Sequence, residues 1–207
     1  MRLYAILDLG YVSPARAAEV AAALLRGGAD ILQLRAKGYV KDEILETAAR
    51  VIPLCRAAGV PFILNDHPDL AAALGADGVH IGQDDGTLAA ARAVVGPGKL
   101  IGRSTHSLAQ ALAALEEGFD YIGFGPLFPT PTKAGRPAIG LEQIRDMENS
   151  VGSRIPAFCI GGITPDTLDM VLSAGARRVV IVSALLTAPD IEAATRAVKD
   201  RLVNAPA

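Results

Sequence analysis

Short apolar runs alternate with alanine-rich stretches eight times along the chain, and this alternation constrains the fold more than any other feature. The runs are unbroken, which is typical of parallel strands buried on both faces. The predicted strands cover residues 3–7, 31–34, 61–64, 78–81, 100–102, 121–124, 157–160 and 179–182. Eight strands separated by about eight helices predict an α/β fold, the (β/α)8 TIM barrel, near the lower size limit of that architecture.

The stretches between the runs carry helical signals. Residues 15–26, 42–57 and 107–117 place apolar side chains three and four positions apart, as amphipathic helices do. Several stretches end in a glycine that directly precedes a strand, and glycine favours the left-handed conformation that terminates helices. The alternative fold is a doubly wound open sheet, but no G-x-G-x-x-G motif follows the first strand.

Composition excludes several classes of protein. With 207 residues, 51% of them apolar, the chain is expected to form one folded domain over residues 1–207 and not a disordered segment. Its net charge of −2 gives no support for binding nucleic acid or an anionic membrane. Cys55 and Cys159 lack metal-ligand spacing and are expected to be buried thiols in the cytoplasm. The sequence leaves the oligomeric state open, a homo-oligomer included.

Basic residues gather where the predicted strands end, the position of the working residues in such barrels. Arg35 and Lys37 follow the second strand, and Lys133 lies in the long segment 125–140. Arginine binds phosphate oxygens in pairs and lysine supplies a mobile charge. The three cations predict a polyanionic small-molecule ligand. The alternative is that they are ordinary surface charges.

Two carboxylates follow neighbouring predicted strands. Asp66 and Asp85 would face the same opening as the cations, and Mg²⁺ is commonly held by one or two carboxylates together with phosphate oxygens. The alternative is that each aspartate caps the helix that follows it. The pair, opposite several cations, favours a metal–diphosphate site.

A second anion site is predicted after the last two strands. Gly161 and Gly162 follow the seventh strand, and Ser183 follows the eighth, where these barrels habitually bind a phosphate through backbone N–H groups. Two adjacent glycines could instead form a tight turn. The roles of His67, His80 and His106 stay open, although His80 is expected to line the interior with a hydrogen-bonded ring.

The motifs at these strand ends, taken in order, resemble thiamine-phosphate synthase, and the resemblance extends from Leu3 to about Leu186. The motifs are Gln33-Leu34-Arg35-Ala36-Lys37, Asn65-Asp66, Asp77-Gly78-Val79-His80-Ile81-Gly82-Gln83-Asp84-Asp85, Ser104-Thr105-His106, Asp120-Tyr121-Ile122-Gly123-Phe124-Gly125-Pro126, Pro129-Thr130-Pro131-Thr132-Lys133 and Ile160-Gly161-Gly162-Ile163.

The resemblance implies a Mg²⁺-dependent transferase that joins hydroxymethylpyrimidine diphosphate to a thiazole phosphate. In that family diphosphate leaves first, and the thiazole nitrogen captures the pyrimidinylmethyl cation. The resemblance assigns Mg²⁺ to Asp66 and Asp85. It assigns the pyrimidine diphosphate to Gln33, Arg35, Lys37, Asn65, Ser104 and Lys133. It assigns the thiazole phosphate to Thr130, Thr132, Gly162, Val182 and Ser183.

Other functions compete with this interpretation. A thiazole tautomerase on the same barrel would isomerise a thiazole phosphate carboxylate, and it would need neither diphosphate nor metal. A catalytically silent phosphate-binding protein is the remaining alternative. The chain departs mildly from the family pattern at His67, Asp84 and Arg103. Arg103 stands where many relatives carry a small apolar residue, and its charge is expected to alter the local field.

Overall fold

Eight strands and the helices between them follow one another as the sequence predicts. The computed structural model describes residues 1–130 and 137–205. The strands are β1 (Leu3–Asp8), β2 (Ile31–Arg35), β3 (Phe62–Asn65), β4 (Gly78–Ile81), β5 (Leu100–Thr105), β6 (Tyr121–Phe124), β7 (Ala157–Cys159) and β8 (Val179–Ile181). The described helices are α1 (Ala17–Arg26), α2 (Lys41–Ala58), α3 (Pro68–Leu74), α4 (Leu88–Val95), α5 (Leu108–Glu117), α6 (Ile144–Met147), α7 (Leu168–Ser173), α8 (Ser183–Leu186) and α9 (Ile191–Asn204).

The strands form a closed parallel barrel in chain order. Each strand pairs with the next, and β1 closes the barrel by pairing with β8, where Leu3 lies opposite Val179. The predicted (β/α)8 barrel is therefore confirmed, and the doubly wound open sheet is wrong.

Alternate residues of each strand face opposite sides of the barrel wall. On β1, Leu3, Ala5 and Leu7 pack outward against the helices in the large outer core. Tyr4 and Ile6 belong to a smaller inner core, which also contains Ile31, Ile63, Tyr121, Phe158 and Val180. This two-layered burial explains why the strands are apolar without interruption.

Glycines end several helices as predicted. Gly59, Gly75 and Gly118 are C-caps in the left-handed conformation, with φ of 65°, 62° and 91°. Most strand ends agree with the prediction within one residue, but β5 continues to Thr105 beyond the expected end at residue 102. The extension places Arg103 and Ser104 on a strand.

The two cysteines are free and buried. Burial raises the pKa of the Cys55 thiol to about 12 and raises that of Cys159 still further. Both thiols therefore stay protonated and unreactive at neutral pH. In the described part of the chain, no helix is both long and apolar enough to cross a membrane.

Candidate active site

A cavity occupies the barrel interior at the carboxyl ends of the strands. Its empty space is about 870 Å³, including the part open to solvent. Nine of the predicted site residues line it: Gln33, Arg35, Asn65, Ser104, Thr130, Gly161, Gly162, Val182 and Ser183. The strands thus bring together residues that are far apart in the sequence, and the cavity lies where barrel enzymes place their sites.

Five side chains form one hydrogen-bonded chain across the floor of this cavity. Gln33 Nε2 donates to Tyr4 Oη at 2.8 Å, and Tyr4 Oη lies 3.1 Å from Tyr121 Oη. Tyr121 Oη in turn lies 3.2 Å from His80 Nδ1, and His80 Nε2 lies 3.0 Å from Ser104 Oγ. Gln33 and Ser104, both predicted to bind the pyrimidine diphosphate, are therefore connected through the buried interior.

Burial raises the pKa of both Tyr4 and Tyr121 far above the usual phenol value, so each hydroxyl keeps its proton and can donate. Gln33 donates the first hydrogen bond of the chain, to Tyr4. In the other three links either partner can be the donor, and the roles of the two His80 nitrogens depend on its tautomer. The expectation of a lining His80 with a hydrogen-bonded ring agrees with this geometry.

Arg35 enters the cavity wall from the end of β2 and is oriented by a carboxylate. Its Nη1 lies 2.6 Å from Asp8 Oδ2, and the Asp8 side chain is only 2% exposed. Asp8 Oδ1 accepts from the backbone N–H of Gly10 at 2.9 Å, which fixes the carboxylate. The guanidinium is therefore held at one edge while it lines the cavity.

Beside the cavity, Lys37, Asp66 and Asp85 form a second charged group. Lys37 Nζ lies 3.1 Å from Asp66 Oδ2. Burial and the neighbouring Asp85 carboxylate raise the pKa of Asp66, and a hydrogen bond with the Asp85 side chain acts in the same direction. Lys37 offsets part of this effect. Two carboxylates in contact repel each other unless a proton or a cation lies between them.

The alternative helix-capping role of the two aspartates is wrong. His67 is the N-cap of α3, and Thr87 is the N-cap of α4, where its side chain accepts from the Ala90 N–H. Asp66 has a φ of 65°, the one positive value among non-glycine residues in the described part of the chain. Such strain is found at functional sites more often than elsewhere.

The opposite side of the cavity contains the predicted phosphate-binding segments. Gly161 and Gly162 have φ of 101° and 67°. A Cβ at Gly161 would come within 2.4 Å of Pro126 Cα, so the two loops approach closely only without a side chain. Ser183 begins α8, and the first N–H groups of a helix lack partners within it. The two glycines lie in a bend of the backbone that lines the cavity.

The long segment after β6 is closed at its base by backbone hydrogen bonds. Ile139 donates to Pro126 at 2.8 Å, and Gly140 donates to Leu127 at 3.2 Å. Thr130 lines the cavity. Thr132 and Lys133 lie outside the described residues. Of the three cations predicted to lie together, the structure therefore describes two, Arg35 and Lys37, and each is paired with a carboxylate.

The other open residues also have defined contacts. His106 lines the cavity, and its Nδ1 lies 2.5 Å from the Gly125 carbonyl oxygen. A carbonyl only accepts, so this Nδ1 carries the proton. His67 caps α3 without a side-chain hydrogen bond to the helix. Arg103 contacts backbone carbonyls of the loop that carries Asp85.

Sequence reasoning did not assign Tyr4, Tyr121 or Asp8 to the site. Strand alternation contains the missing signal. Tyr4 and Asp8 have the same inward parity on β1 as Gln33 and Arg35 on the paired strand, because Asp8 lies opposite Arg35 in the register. A polar residue at an inward position is expected to need a buried partner.

Comparison with known proteins points to one family. The sequence model described as thiamine monophosphate synthase matches residues 3–185. A thiamine-phosphate synthase of Thermus thermophilus is 52% identical over 178 residues, which cover 86% of this chain and 85% of the relative. One from Mycobacterium sp. strain KMS is 46% identical over 196 residues, 90% of this chain and 86% of the relative.

A solved structure gives the same result. Thiamine phosphate pyrophosphorylase from Pyrococcus furiosus superposes with a TM-score of 0.88 at 33% sequence identity. The match covers 100% of this chain and 97% of that one. Similarity therefore extends through the whole barrel, including the strand ends that line the cavity.

Proposed function

This chain belongs to the thiamine monophosphate synthase family and is a transferase, and from that premise we propose that its reaction is Mg²⁺-dependent. The proposed reaction transfers the hydroxymethylpyrimidine group from its diphosphate to the nitrogen of a hydroxyethylthiazole phosphate. The products are thiamine phosphate and diphosphate. The observation that carries the proposal is the closeness of the Asp66 and Asp85 carboxyl groups beside the cavity, where burial raises the pKa of Asp66 and Asp85 raises it further through its charge and a side-chain hydrogen bond.

Asp66 and Asp85 fit a magnesium ion by chemistry and by number. Both offer hard oxygen ligands, and Mg²⁺ typically takes one or two carboxylates and completes its shell with water and phosphate oxygens. In residues 1–130 and 137–205, no group of three or more His, Cys, Asp or Glu side chains gathers as a metal site. When bound, Mg²⁺ supplies positive charge that stabilises the departing diphosphate.

The chain's own cations would bind the same diphosphate. Arg35, held in place by Asp8, presents its guanidinium to the cavity, and Lys37 lies beside Asp66. As the bond to diphosphate breaks, negative charge grows on the leaving group, and preoriented cations stabilise it. We assign Lys133 to this end of the site from the sequence resemblance alone.

Gln33, Asn65 and Ser104 would orient the pyrimidine. All three line the cavity, and the hydrogen-bonded chain through Tyr4, Tyr121 and His80 fixes the side chains at its two ends. A ring held by preoriented groups loses little entropy when it reaches the transition state. Substrate orientation is thus built into the interior of the barrel.

The thiazole phosphate would bind at the other side of the cavity. Backbone N–H groups at Gly161–Gly162 and at the start of α8 suit a monophosphate. Val182, Ser183 and Thr130 line the same region, and the resemblance assigns Thr132 to it as well. The two anions would then lie on opposite sides of one cavity, with the reacting carbon and nitrogen between them.

In the chemical step the bond between the pyrimidine methylene carbon and the diphosphate oxygen breaks, and its electron pair leaves with diphosphate. The thiazole nitrogen then donates its lone pair to the electron-poor methylene carbon and forms the new C–N bond. Ile6, Phe158 and Val180 form an apolar part of the cavity wall, which would keep water from the pyrimidinylmethyl cation. No general base is needed, because no proton is removed.

We also propose that the protein works in the cytoplasm on small molecules alone. The two buried, unreactive thiols agree with a reducing compartment. The net charge of −2 offers no attraction for nucleic acid.

Diphosphate release from the pyrimidine diphosphate tests the function directly. We expect release that depends on both the thiazole phosphate and Mg²⁺, and that stops when EDTA removes the metal. Asp66→Asn and Asp85→Asn should each lower turnover by about 10²–10³-fold, the size of effect seen when transition-state charge stabilisation is lost. Asp84→Asn, a neighbouring carboxylate on the same loop, is the matched control and should retain turnover.

Two results would contradict the proposal. Wild-type turnover by Asp66→Asn or Asp85→Asn at low Mg²⁺ would remove the metal assignment. Isomerisation of a thiazole phosphate carboxylate without diphosphate release would indicate the tautomerase instead.

A further inference from the structure

Arg103 connects β5 to the loop between β4 and α4. Its Nη1 donates to the carbonyl oxygens of Gly82 at 2.9 Å and of Gly86 at 2.8 Å. Its Nη2 donates to the carbonyl of Gln83 at 3.3 Å. One guanidinium therefore binds three carbonyl oxygens at the two ends of a five-residue loop. Its five N–H donors lie in a fixed, planar fork, so a single side chain can reach several acceptors at once.

The guanidinium is itself held from the other side. Its Cζ lies 5.4 Å from the centroid of the Phe119 ring, within the range of a cation–π contact. The backbone of Arg103 belongs to β5 and pairs with Ile122 of β6. The side chain thus projects from a rigid wall and has a defined direction before it reaches the loop.

The loop that Arg103 holds carries Asp85. Asp85 Oδ2 accepts from the Gly82 N–H at 2.7 Å, and the Asp85 N–H donates to the Gly82 carbonyl at 3.2 Å. The Gly82 carbonyl oxygen is therefore shared by Arg103 and Asp85. Arg103 thus holds the backbone atom to which Asp85 is also hydrogen-bonded. The position of the Asp85 carboxylate against Asp66 depends on this part of the loop backbone.

A second contact strengthens the same connection. Gln83 Nε2 donates to the carbonyl of Ser104 at 2.6 Å, one residue beyond Arg103 on β5. The loop also contains Gly86 with φ of 108°, a conformation that glycine adopts at little cost. A glycine-containing loop that is unfixed would sample several conformations, so the contacts from β5 determine which one persists.

We propose that Arg103 is a positioning residue for Asp85: it fixes the β4–α4 loop so that the Asp85 carboxylate stays against Asp66, and it thereby sets the affinity for a divalent cation with diphosphate. This inference rests on the metal role of Asp66 and Asp85 proposed above. Lysine cannot reproduce it fully, because an ammonium is a single point charge without the planar fork of donors.

The test measures cation binding without turnover. Mn²⁺ is titrated into the protein in the presence of inorganic diphosphate, and free Mn²⁺ is followed by electron paramagnetic resonance. Arg103→Met should raise the apparent Kd for Mn²⁺ at least tenfold, and Arg103→Lys should give an intermediate value. Arg50→Met is the matched control, since Arg50 also donates to backbone carbonyls, those of Glu46 and Pro14, but belongs to α2 and not to a strand end.

Kinetics provide the second readout. The Mg²⁺ concentration for half-maximal rate should rise at least tenfold in Arg103→Met, while the KM for thiazole phosphate stays within about twofold, a change small beside the tenfold that ~1.4 kcal/mol gives. Saturating Mg²⁺ should restore most of kcat. A protein that is merely less stable would lose kcat without this selective dependence on the metal.

The outcomes separate the two proposals. If Asp85→Asn weakens Mn²⁺ binding and both Arg103→Met and Arg103→Lys bind as the wild type does, the inference about Arg103 is overturned and the metal site stands. If Asp85→Asn itself binds Mn²⁺ as tightly as the wild type, the proposed metal role fails and the inference about Arg103 fails with it. If Arg103→Met does not fold, Arg103→Lys alone tests the inference: a Kd for Mn²⁺ above the wild-type value supports it, and a wild-type Kd overturns it.

Discussion

The ring of Tyr121 occupies the space that a side chain at residue 102 would need. A Cβ on Gly102 would come within 2.1 Å of Tyr121 Cζ and 2.5 Å of its hydroxyl oxygen. Gly102 is therefore a glycine because of a neighbouring ring and not because of its own backbone conformation. The Tyr121 hydroxyl that this arrangement accommodates connects Tyr4 to His80 inside the barrel.

Gly102→Ala should displace Tyr121 and interrupt the hydrogen-bonded chain between Gln33 and Ser104. We expect a loss of about 1–3 kcal/mol in stability, as for overpacked cores, together with a higher KM for the pyrimidine diphosphate. Tyr121→Phe keeps the ring and removes only the hydroxyl, so it should raise the same KM through the lost hydrogen bonds. Thermal unfolding and steady-state kinetics measure both effects.

Gly123→Ala is the matched control for this prediction. Gly123 also faces the interior, but a Cβ there would meet His80 Cε1 at 3.6 Å, an ordinary contact distance. It should unfold at a higher temperature than Gly102→Ala. Equal Tm values for the two alanine variants would mean that the Tyr121 ring moves aside at no cost.

Asp8→Asn should lower turnover more than it lowers the affinity for diphosphate. Asp8 is 1% exposed and holds Arg35 through a 2.6 Å contact. The asparagine leaves the guanidinium charged but poorly oriented, so we expect turnover to fall at least tenfold, equivalent to ~1.4 kcal/mol. Binding of inorganic diphosphate, measured by calorimetry, should fall less because the charge remains.

The variant should also be less stable, by up to about 3–5 kcal/mol where a buried charge loses its partner. Asp42→Asn at the exposed start of α2 is the control and should change neither quantity. Full turnover with an unchanged Tm in Asp8→Asn would show that Arg35 needs no carboxylate to orient it.

The sequence predicts the barrel well because the signals for it are local. Unbroken apolar runs and glycine helix ends depend on residues close together in the chain, and Gly59, Gly75 and Gly118 behave as predicted. The grouping of Gln33, Asn65 and Ser104 in one cavity also follows, because strand ends meet once the strands are parallel and closed.

What the sequence does not reveal is the partner of each polar group. The pairing of Asp8 with Arg35 depends on the register between β1 and β2, and the contact of Gly102 with Tyr121 depends on the register between β5 and β6. From the sequence, Arg103 is expected only to alter the local field. In the structure the Arg103 guanidinium instead donates to the Gly82 and Gly86 carbonyls and holds their loop. This role cannot be predicted from the sequence, because it depends on where those carbonyls point.

Glu148→Gln should make stability less dependent on pH. Glu148 is 2% exposed, and burial raises the pKa of its carboxyl group although the Arg177 N–H and the Arg178 charge oppose the change. Within the described residues its Oε2 has no hydrogen-bond partner. The folded protein therefore holds the proton more tightly than the unfolded chain does, and stability falls as pH rises through the folded-state pKa.

Thermal unfolding from pH 4 to pH 8 measures this effect as the difference in Tm between the two proteins. The contribution of protonated Glu148 is complete below the unfolded pKa, about 4.3, and is lost at higher pH. We expect the Tm difference to shift steadily in favour of Glu148→Gln as pH rises. A constant difference across that range would mean that Glu148 has the same pKa in both states.

Ser183→Glu should weaken the binding of thiazole phosphate far more than that of the pyrimidine diphosphate. Ser183 begins α8 and lines the cavity on the side of Gly161 and Gly162. A carboxylate there would repel a monophosphate at close range, whereas Asp66 and Lys37 lie with the other group of charges. We expect at least a tenfold rise in Kd for the thiazole phosphate, or ~1.4 kcal/mol, and a much smaller change for the diphosphate.

Ser183→Ala controls for the lost hydroxyl and should weaken binding less, because the backbone N–H groups remain. Calorimetric titration with each ligand separately gives both Kd values, and equal losses for the two ligands would mean that the cavity holds one anion site and not two.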